Sequence, residues 1–469
     1  MKILMRAPQG PIDNLLPYET CINNRIWNNV GNLLFPTSMW RNLASEEVSI
    51  DPYYDIKVSD ADYINENYDV FLIPLANAFR TSFMGALKVL TELVKKLRIP
   101  CIVSGVGLQH GIIGIGKEVS FPFDDSVVEF MRAVLDKSAI VGVRGECTYN
   151  YLKSLGFSKN VEVIGCPSMY TFGRNLPSPK KLSAETLRIA LNAKKSDNDE
   201  VKEKFFADKI FMKNAERITY IPQETNELMM MCYGVPIDST KNVFPLNLSH
   251  SFFEKNDKII SQFFLNTYTW INYMKNEVDF SFGTRIHGNV VAVLAGTPAC
   301  LVATDARVLE LAEYHNIPHI SVKELENYSS IDDIYNTIDF NQVLDGHSDR
   351  YDRFRNFLRK NGLEPVDDPN RYYDLLTQNV EFHKPVRSLN CENGETVNNR
   401  LTEYYAYLKN KDQERVNRIN ELKKKVEKLE KSQTEVKGKL DHFLKEEKKQ
   451  IVLKKLVDEF VEDYQMIIR

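Results

Sequence analysis

The segment GTRIHGN, residues 283–289, carries the strongest chemical signal in the 469-residue sequence. It joins a predicted strand at 278–282 to a predicted short helix at 290–295. Backbone N–H groups and the positive end of a helix dipole at such a junction favour an anion. Arg285 adds a guanidinium that can grip a phosphate or carboxylate, and His287 adds a group that titrates near neutral pH. The segment therefore predicts anion binding and acid–base chemistry at one place, with a structural helix cap as the alternative for His287.

Arg144 is a second candidate for anion binding. It follows a predicted buried strand at 139–143, so it lies at the carboxyl end of that strand. Ligands of parallel α/β sheets bind at these strand ends, and we therefore expect Arg144 to face Arg285 across a cleft. The alternative is a salt bridge from Arg144 to the adjacent helix, for example through Glu146.

Two glycine-containing stretches provide further candidates for residues that line this cleft. Gly107, Gln109 and His110 lie in the glycine-rich stretch 105–117, which comes close to the dinucleotide and P-loop motifs without matching either. Gly31 and Asn32 lie near the start of the chain, before an apolar run. His110 is also a candidate base. Tight turns and helix capping are the alternative explanations for the glycines and the asparagine.

The sequence has no complete motif for several common chemistries. It contains no GxSxG elbow, HExxH helix, complete Walker loop or Cys/His cluster with metal-ligand spacing. We therefore predict no metal and no cofactor. Two DxD matches, Asp60/Asp62 and Asp197/Asp199, keep a metal-dependent glycosyltransferase open as an alternative.

Strand and helix patterns alternate along most of the chain. This alternation predicts the α/β class with doubly wound, mostly parallel sheets. We predict a Rossmann-like domain at 1–170, a linker at 171–185 and a second Rossmann-like domain at 186–380. The helices predicted in the second domain include 202–215, 258–275 and 349–360.

Beyond residue 397 the composition changes. Residues 409–455 hold 16 Lys and Arg against 9 Asp and Glu, a local charge of +7 in a chain whose formal charge is −4. Apolar residues follow heptad spacing from Ile419 to Phe443, with polar Gln433 in the seam. We predict a coiled-coil or amphipathic helical tail at 397–469 that makes the protein a homo-oligomer. A single helix packed on its own domain, or a basic face on anionic lipid, is the alternative.

The overall composition excludes several classes of protein. Sixty Lys and Arg against 64 Asp and Glu give no basic excess, so we expect no nucleic-acid partner. The seven cysteines stand singly, without a disulfide framework of the secreted kind. Neither a signal peptide nor a membrane span is recognisable. We expect a cytoplasmic protein, with peripheral contact at the inner face of the cytoplasmic membrane as a further hypothesis.

Several segments together resemble the polysaccharide pyruvyl transferase family. They are GTRIHGNVVAVLAGTPACLVATDARVLELAEYHNIPHI at 283–320, VGVRGECTYNYLKSLGF and VEVIGCPS within 141–168, VSGVGLQ at 103–109, and NNVGNLLF near the amino end. The resemblance implies two domains in a glycosyltransferase-B-like arrangement. It also implies transfer of pyruvate from phosphoenolpyruvate to a sugar of a cell-surface polysaccharide, or to its lipid-linked precursor, with formation of a cyclic ketal.

The resemblance also implies roles for individual residues. Arg144 and Arg285 would bind phosphoenolpyruvate, and His287 would be the catalytic proton donor. We add Gly288 and Asn289 to the expected phosphoenolpyruvate contacts, because they adjoin His287 in the same segment. No obligatory metal is implied.

Two other functions stay open from the sequence. A glycosyltransferase with the same two-domain architecture would use Arg285 and the helix end to bind the diphosphate of a nucleotide-sugar. A non-enzymatic scaffold would keep the coiled coil and use the Rossmann-like domains only to bind a glycan or partner subunits.

Overall fold

The computed structural model describes residues 1–109, 120–193, 215–234, 260–388 and 392–468. The chain divides into two units, Met1–Arg400 and Leu401–Arg469, and both sheets described below lie in the first unit. The linker predicted at 171–185 also lies inside that unit, and the domain boundary stays a prediction. His110, the Asp197/Asp199 pair and nearly all of the helix predicted at 202–215 lie outside the described residues.

The first sheet is parallel and has the strand order β2-β1-β3-β4. Two further parallel strands, β5 and β6, continue it, because an isolated parallel bridge links Val106, just after β4, to Val143 in β5. Sequence reasoning missed β1, which pairs with β2 on one side and with the buried strand β3 on the other. The strands are β1 (Lys2–Arg6), β2 (Ser49–Tyr53), β3 (Val70–Pro74), β4 (Cys101–Ser104), β5 (Val141–Val143) and β6 (Val161–Val163).

Helices of the first part of the chain cover this sheet. The helix at Met84–Lys96 shows why they pack as they do, since its buried residues recur three or four apart at Leu87, Leu90 and Val94. These side chains join the core beneath the sheet. The helices are α1 (Pro17–Ile22), α2 (Leu34–Leu43), α3 (Ala61–Asn67), α4 (Met84–Lys96), α5 (Asp124–Leu135) and α6 (Glu146–Ser154).

The second sheet has seven strands in the order β12-β11-β10-β7-β8-β9-β13. Every neighbouring pair is parallel except the edge pair of β9 and β13. The predicted α/β class with parallel sheets is therefore confirmed. The strands are β7 (Ile189–Leu191), β8 (Ile218–Tyr220), β9 (Ile260–Phe263), β10 (Phe280–Gly283), β11 (Ala299–Ala303), β12 (His319–Ser321) and β13 (Val386–Arg387).

Two helix boundaries in this half differ from the sequence prediction. The helix predicted at 258–275 is wrong at its start, because residues 260–263 form β9 between two other strands. The helix begins only after Asn266, whose side chain accepts a hydrogen bond from the Thr269 N–H at 2.9 Å. The helix predicted at 290–295 begins earlier, at Ile286. The helices are α7 (Thr225–Tyr233), α8 (Thr267–Glu277), α9 (Ile286–Ala295), α10 (Ala306–His315), α11 (Ile331–Thr337), α12 (His347–Lys360) and α13 (Arg371–Thr377).

Helix α12 connects the second half of the chain back to the first sheet. The Tyr351 hydroxyl donates to Asn42 Oδ1 at 2.9 Å. Lys360 pairs with Glu162, in β6, at 2.8 Å. The helix predicted at 349–360 is thus confirmed, and its contacts hold the two sheets in one unit.

A single helix, α14 (Gly394–Ile468), forms the end of the described chain. The helical tail predicted from 397 onward is confirmed, whereas its pairing into a coiled coil stays a prediction. Among the described residues, no helix combines the length and the apolar character that a membrane span requires.

Gly283 at the end of β10 provides a test of how tightly the two strands β7 and β10 approach. Its φ is +140°, and a Cβ atom there would lie 2.1 Å from the Asn192 carbonyl oxygen. We expect Gly283→Ala to lower the free energy of unfolding by about 2–4 kcal/mol, through backbone strain and overpacking.

The matched control is Gly85→Ala, because a Cβ atom on Gly85 would meet nothing within 4 Å. This change should alter the free energy of unfolding by less than about 1 kcal/mol. Urea unfolding followed by tryptophan fluorescence measures both. Equal effects of the two substitutions would contradict the close packing of the strands.

Candidate active site

His287 lies in the first turn of α9, directly after β10. The turn before it is held by Asn289, whose amide N–H groups donate to the carbonyl oxygens of Gly283 and Arg285, both at 3.1 Å. Asn289 Oδ1 accepts from the Ser281 hydroxyl at 3.0 Å. These bonds fix the strand-to-helix turn, so the position of His287 follows from the local sequence.

The His287 ring is buried and has a free nitrogen. Only 9% of the residue is exposed, and Nε2 has no hydrogen-bond partner in the part of the chain that the structure describes. Gly31 packs against the Nδ1 side of the His287 ring, since a Cβ atom on Gly31 would lie 2.7 Å from His287 Nδ1. A side chain at position 31 would therefore displace the imidazole.

Burial and neighbouring cations keep the His287 ring neutral. Burial is the largest cause, followed by Arg144 and Arg307, and together they lower the pKa of His287 to about 3. Because the folded-state pKa lies below the ordinary 6.5, this group's contribution to stability is full above pH 6.5 and is lost as the pH falls towards 3. A bound anion would raise the pKa of His287, since negative charge favours the protonated ring.

Arg144 is buried, and no carboxylate of the described residues lies at ion-pair distance from it, although its charge acts on the buried carboxyl of Glu310. Arg144 is 2% exposed, and its Nε has no hydrogen-bond partner among the described residues. Its guanidinium Nη2 lies 3.9 Å from the Cys166 sulfur, which is a weak acceptor. The Arg144 backbone N–H donates to Val106 at 2.9 Å, and the side chain packs on Gly107. Because an unpaired buried charge is costly, this guanidinium is a candidate group for binding an anion, and that role stays a prediction.

Arg285, in contrast, has carboxylate partners. Its Nη2 lies 2.9 Å from Glu224 Oε1 and 3.7 Å from Glu227 Oε2. Glu227 is fixed in turn by the backbone N–H groups of Gln223 and Glu224, at 2.9 and 2.8 Å. Arg285 therefore offers hydrogen-bond donors to a ligand, while most of its charge is already balanced.

Two arginines that sequence reasoning missed, Arg80 and Arg307, complete the cationic side of the site. Nε of each has no hydrogen-bond partner among the described residues. With the Asn77 amide oriented so that its oxygen faces the guanidiniums, Asn77 accepts from Arg80 Nη1 at 2.9 Å and from Arg307 Nη1 at 2.7 Å. Burial, followed by the charge of Arg307, lowers the pKa of Arg80. Arg307 also pairs with Asp305 at 3.1 Å.

All four arginines follow the carboxyl ends of parallel strands. Arg80 comes after β3, Arg144 after β5, Arg285 after β10 and Arg307 after β11. This placement is the signal by which Arg80 and Arg307 could have been found, because ligands of parallel sheets bind at these ends.

The four arginines and His287 line one cavity of about 640 Å³, with Glu224 as the one carboxylate residue of its described lining. A cavity of this size takes a small organic ligand. Its excess of guanidinium groups over carboxylates favours an anionic one. Neutral His287 lies among these cations, so the same cavity holds groups suited to an anion and a group that can exchange a proton.

The other residues predicted for the site have different surroundings. Asn32 lines the cavity. Gly288 packs on Asn192 and Gln223, where a Cβ atom would meet the Asn192 Oδ1 at 2.2 Å. The Gln109 amide lies 2.8 Å from the Asn77 amide at the cavity edge. The side-chain bonds of Asn289 stay within its own turn, and the ligand roles of all these residues stay predictions. In the described part of the chain, no group of three or more His, Cys, Asp or Glu could hold a metal ion.

Residues 28–306 match the family model for polysaccharide pyruvyl transferase. The chain belongs to this family. The matched range contains Arg80, Arg144, Arg285 and His287, and it ends one residue before Arg307. Membership of the polysaccharide pyruvyl transferases implies an enzyme of polysaccharide biosynthesis that transfers pyruvyl groups. No curated protein matches the chain significantly.

Solved structures show only distant likeness to this pyruvyl transferase. S. aureus MnaA with UDP is 14% identical, covers 78% of this chain and 98% of its own, and has a TM-score of 0.40. An uncharacterized protein from Klebsiella pneumoniae is 11% identical over 67% of this chain and 87% of its own, with a TM-score of 0.34. The glycosyltransferase SnogD from Streptomyces nogalater is 10% identical over 80% and 98%, with a TM-score of 0.28. At these scores the likeness supports no conclusion about function.

The contrast between Arg144 and Arg285 gives a stability test without any ligand. We expect Arg144→Met to raise the free energy of unfolding by about 1 kcal/mol, because an unpaired buried charge is replaced by an apolar side chain. Arg285→Met should lower it by about 3 kcal/mol, because Glu227 and Glu224 lose their cation. Urea unfolding at neutral pH measures both variants. A loss for Arg144→Met as large as that for Arg285→Met would show that Arg144 is not an uncompensated charge.

Proposed function

We propose that this enzyme transfers the pyruvyl group of phosphoenolpyruvate to two hydroxyls of one sugar, which forms a cyclic ketal and releases phosphate. The sugar belongs to a cell-surface polysaccharide or to its lipid-linked precursor. The observation that carries the proposal is the buried, unpaired guanidinium of Arg144 beside the free Nε2 of neutral His287.

The charges of the donor match those of the cavity. Phosphoenolpyruvate carries a carboxylate and a phosphate within a three-carbon molecule. The guanidiniums of Arg80, Arg144 and Arg307 each have an Nε without a partner among the described residues. Such groups bind carboxylate and phosphate oxygens through short, charge-assisted bonds. We assign these three arginines to the two anionic groups of the donor, with Arg285 as a further hydrogen-bond donor at the cavity wall.

Donor binding also prepares His287 for proton transfer. In the free enzyme the pKa of His287 is about 3, so the ring is neutral at physiological pH. A bound phosphate and carboxylate oppose the effect of Arg144 and Arg307, and the pKa of the ring rises. His287 then holds a proton next to the substrate, and it is the residue that we assign as general acid.

The transfer proceeds in two steps. His287 gives its proton to the methylene carbon, which becomes a methyl group, and the oxygen of the first sugar hydroxyl bonds to the central carbon. The proton of that hydroxyl restores the charge of His287. The oxygen of the second hydroxyl then bonds to the same carbon as the C–O bond to phosphate breaks, and its proton leaves with inorganic phosphate. The arginines balance the negative charge that grows on the departing phosphate.

Ligand-induced stabilisation tests the donor. Phosphoenolpyruvate at about 100 times its dissociation constant should stabilise the wild-type enzyme by roughly 2.7 kcal/mol. Thermal unfolding should show this shift for the wild type and not for Arg144→Met or Arg307→Met. The control is Arg359→Met, because Arg359 lies outside the cavity and pairs with Glu364 at 2.9 Å.

Nucleotide-sugars provide the competing outcome in the same experiment. Stabilisation by one nucleotide-sugar, with no response to phosphoenolpyruvate, would contradict pyruvyl transfer and favour a glycosyltransferase that uses this cavity for a diphosphate. Stabilisation by phosphoenolpyruvate that survives in Arg144→Met would contradict the assigned donor site.

We also propose that α14 joins copies of this chain through a coiled coil. Its heptad seam contains apolar residues that are between 48% and 69% exposed in the single chain. They recur three or four residues apart, as knobs-into-holes packing requires, except between Leu429 and Val436, where Gln433 occupies the seam. These side chains are Ile419, Leu422, Val426, Leu429, Val436, Leu440 and Phe443.

Charge substitutions in the seam test this self-association. The double variant Leu422→Asp, Leu429→Asp places carboxylates in the packed seam and should reduce the particle mass to the 54.2 kDa of one chain. The control, Asn417→Asp with Asn420→Asp, adds the same charge outside the seam. Light scattering measures the mass. A monomeric wild type would contradict the proposal, and vesicle sedimentation of the same proteins tests lipid binding as the alternative.

A further inference from the structure

A second cavity of about 500 Å³ adjoins the active-site cavity. The two are neighbours, because Trp27, Asn28, Asn32, Asn77 and Arg80 line both of them. A ligand in the second cavity therefore lies close to the groups around His287.

The lining of this second cavity combines flat aromatic rings with side-chain amides. Trp27, Tyr54 and Phe83 contribute the rings, and the amides come from four asparagines that include Asn24 and Asn77. A pyranose ring has an apolar C–H face and an edge of hydroxyls. Aromatic rings pack against the C–H face, and amides, which both donate and accept hydrogen bonds, pair with the hydroxyls.

The charges of the residues that line the second cavity indicate which sugars it can bind. Two arginines, Arg6 and Arg80, line the cavity, and its described lining contains no carboxylate. The Arg6 guanidinium lies 4.1 Å from the centre of the Trp27 ring and donates to the Pro74 carbonyl at 3.3 Å. Such a wall accepts neutral and anionic sugars and disfavours the cation of an amino sugar.

Trp27 is held in a strained backbone conformation. Its φ is +45°, and Asn24 and Asn28 on either side have φ of +47° and +66°. A bulky residue in this region is rare and costs energy, so the surrounding structure must hold it there. The Trp27 carbonyl accepts from Asn32 Nδ2 at 3.0 Å, and Asn24 Oδ1 accepts from the Asn28 N–H at 2.7 Å. Strain of this kind accumulates where a side chain is positioned for binding.

The loop that carries Trp27 is also tied to the donor side of the active site. The Asn28 carbonyl accepts from the Thr225 N–H at 3.2 Å, and the Val30 N–H donates to Gln223 at 2.9 Å. Between these two contacts lies Glu224, the ion-pair partner of Arg285. The position of Trp27 is therefore fixed relative to the arginines.

We propose that the second cavity is the acceptor subsite, with Trp27 as the platform for a neutral or anionic hexopyranose. The inference rests on the proposed function, because the acceptor must present two hydroxyls to a donor held by the arginines. The side chains that line both cavities place such a sugar next to the donor.

Ligand-observed saturation-transfer NMR tests the subsite directly. The probes are the methyl glycosides of galactose, glucose and glucuronic acid, with methyl glucosaminide for the amino sugar. At least one of the first three should bind to the wild type and bind about tenfold more weakly to Trp27→Leu, which loses the flat ring. Trp27→Phe, which keeps a flat ring, should restore most of the binding. The control is Tyr63→Leu, since Tyr63 is 59% exposed and lies outside the cavity.

The outcomes separate this inference from the proposed function. Stabilisation by phosphoenolpyruvate, measured on Trp27→Leu, shows that the variant folds and that the donor site is intact. Undiminished sugar binding to that variant would overturn the subsite, as would the absence of binding by all the glycosides or preferred binding of the glucosaminide. A wild type that does not respond to phosphoenolpyruvate would instead overturn the proposed function.

Discussion

An unbalanced buried charge is the feature on which this site depends. Arg144 is almost fully buried, the weak Cys166 sulfur is the hydrogen-bond acceptor that its guanidinium has among the described residues, and its charge acts on His287. The folded protein therefore holds a cation with no carboxylate at ion-pair distance among those residues and a histidine in its neutral form. In the proposed function, the arrival of an anionic donor would compensate the charge of Arg144 and favour protonation of His287. The stability of the free enzyme and its affinity for the donor would then be opposed to each other.

The fold maintains this arrangement through parallel strands that end at the same cavity. Arginines follow strands of both sheets, and glycines leave room for the side chains of the site. Gly31 lies against His287, and Gly107 lies against Arg144. Helix α12 returns from the second half to the first sheet. The ion pair of Arg285 with Glu224 and Glu227 fixes the remaining wall, so each arginine has a separate part in the site.

The sequence predicted much of this because its local patterns are strong. Alternating strands and helices, the turn around His287 and the strand-end position of Arg144 all follow from spacing within a few residues. The parts that it did not predict depend on contacts between distant segments. Strand β9 was predicted as helix because its own residues do not reveal its pairing with β8 and β13. Arg80 and Arg307 could be recognised as site residues only once the strands before them were known to end at the same cavity. The same holds for Trp27, whose loop is held by the contacts of Asn28 and Val30 with Thr225 and Gln223.

Proton uptake on donor binding tests the central claim most directly. Calorimetric titration of phosphoenolpyruvate in buffers of different ionisation enthalpy gives the number of protons that the protein takes up, for the wild type and for His287→Gln. The account predicts that the wild type takes up more protons than the variant, because the pKa of His287 rises from about 3 when the anion binds. Equal uptake by the two proteins, with phosphoenolpyruvate bound to both, would contradict it.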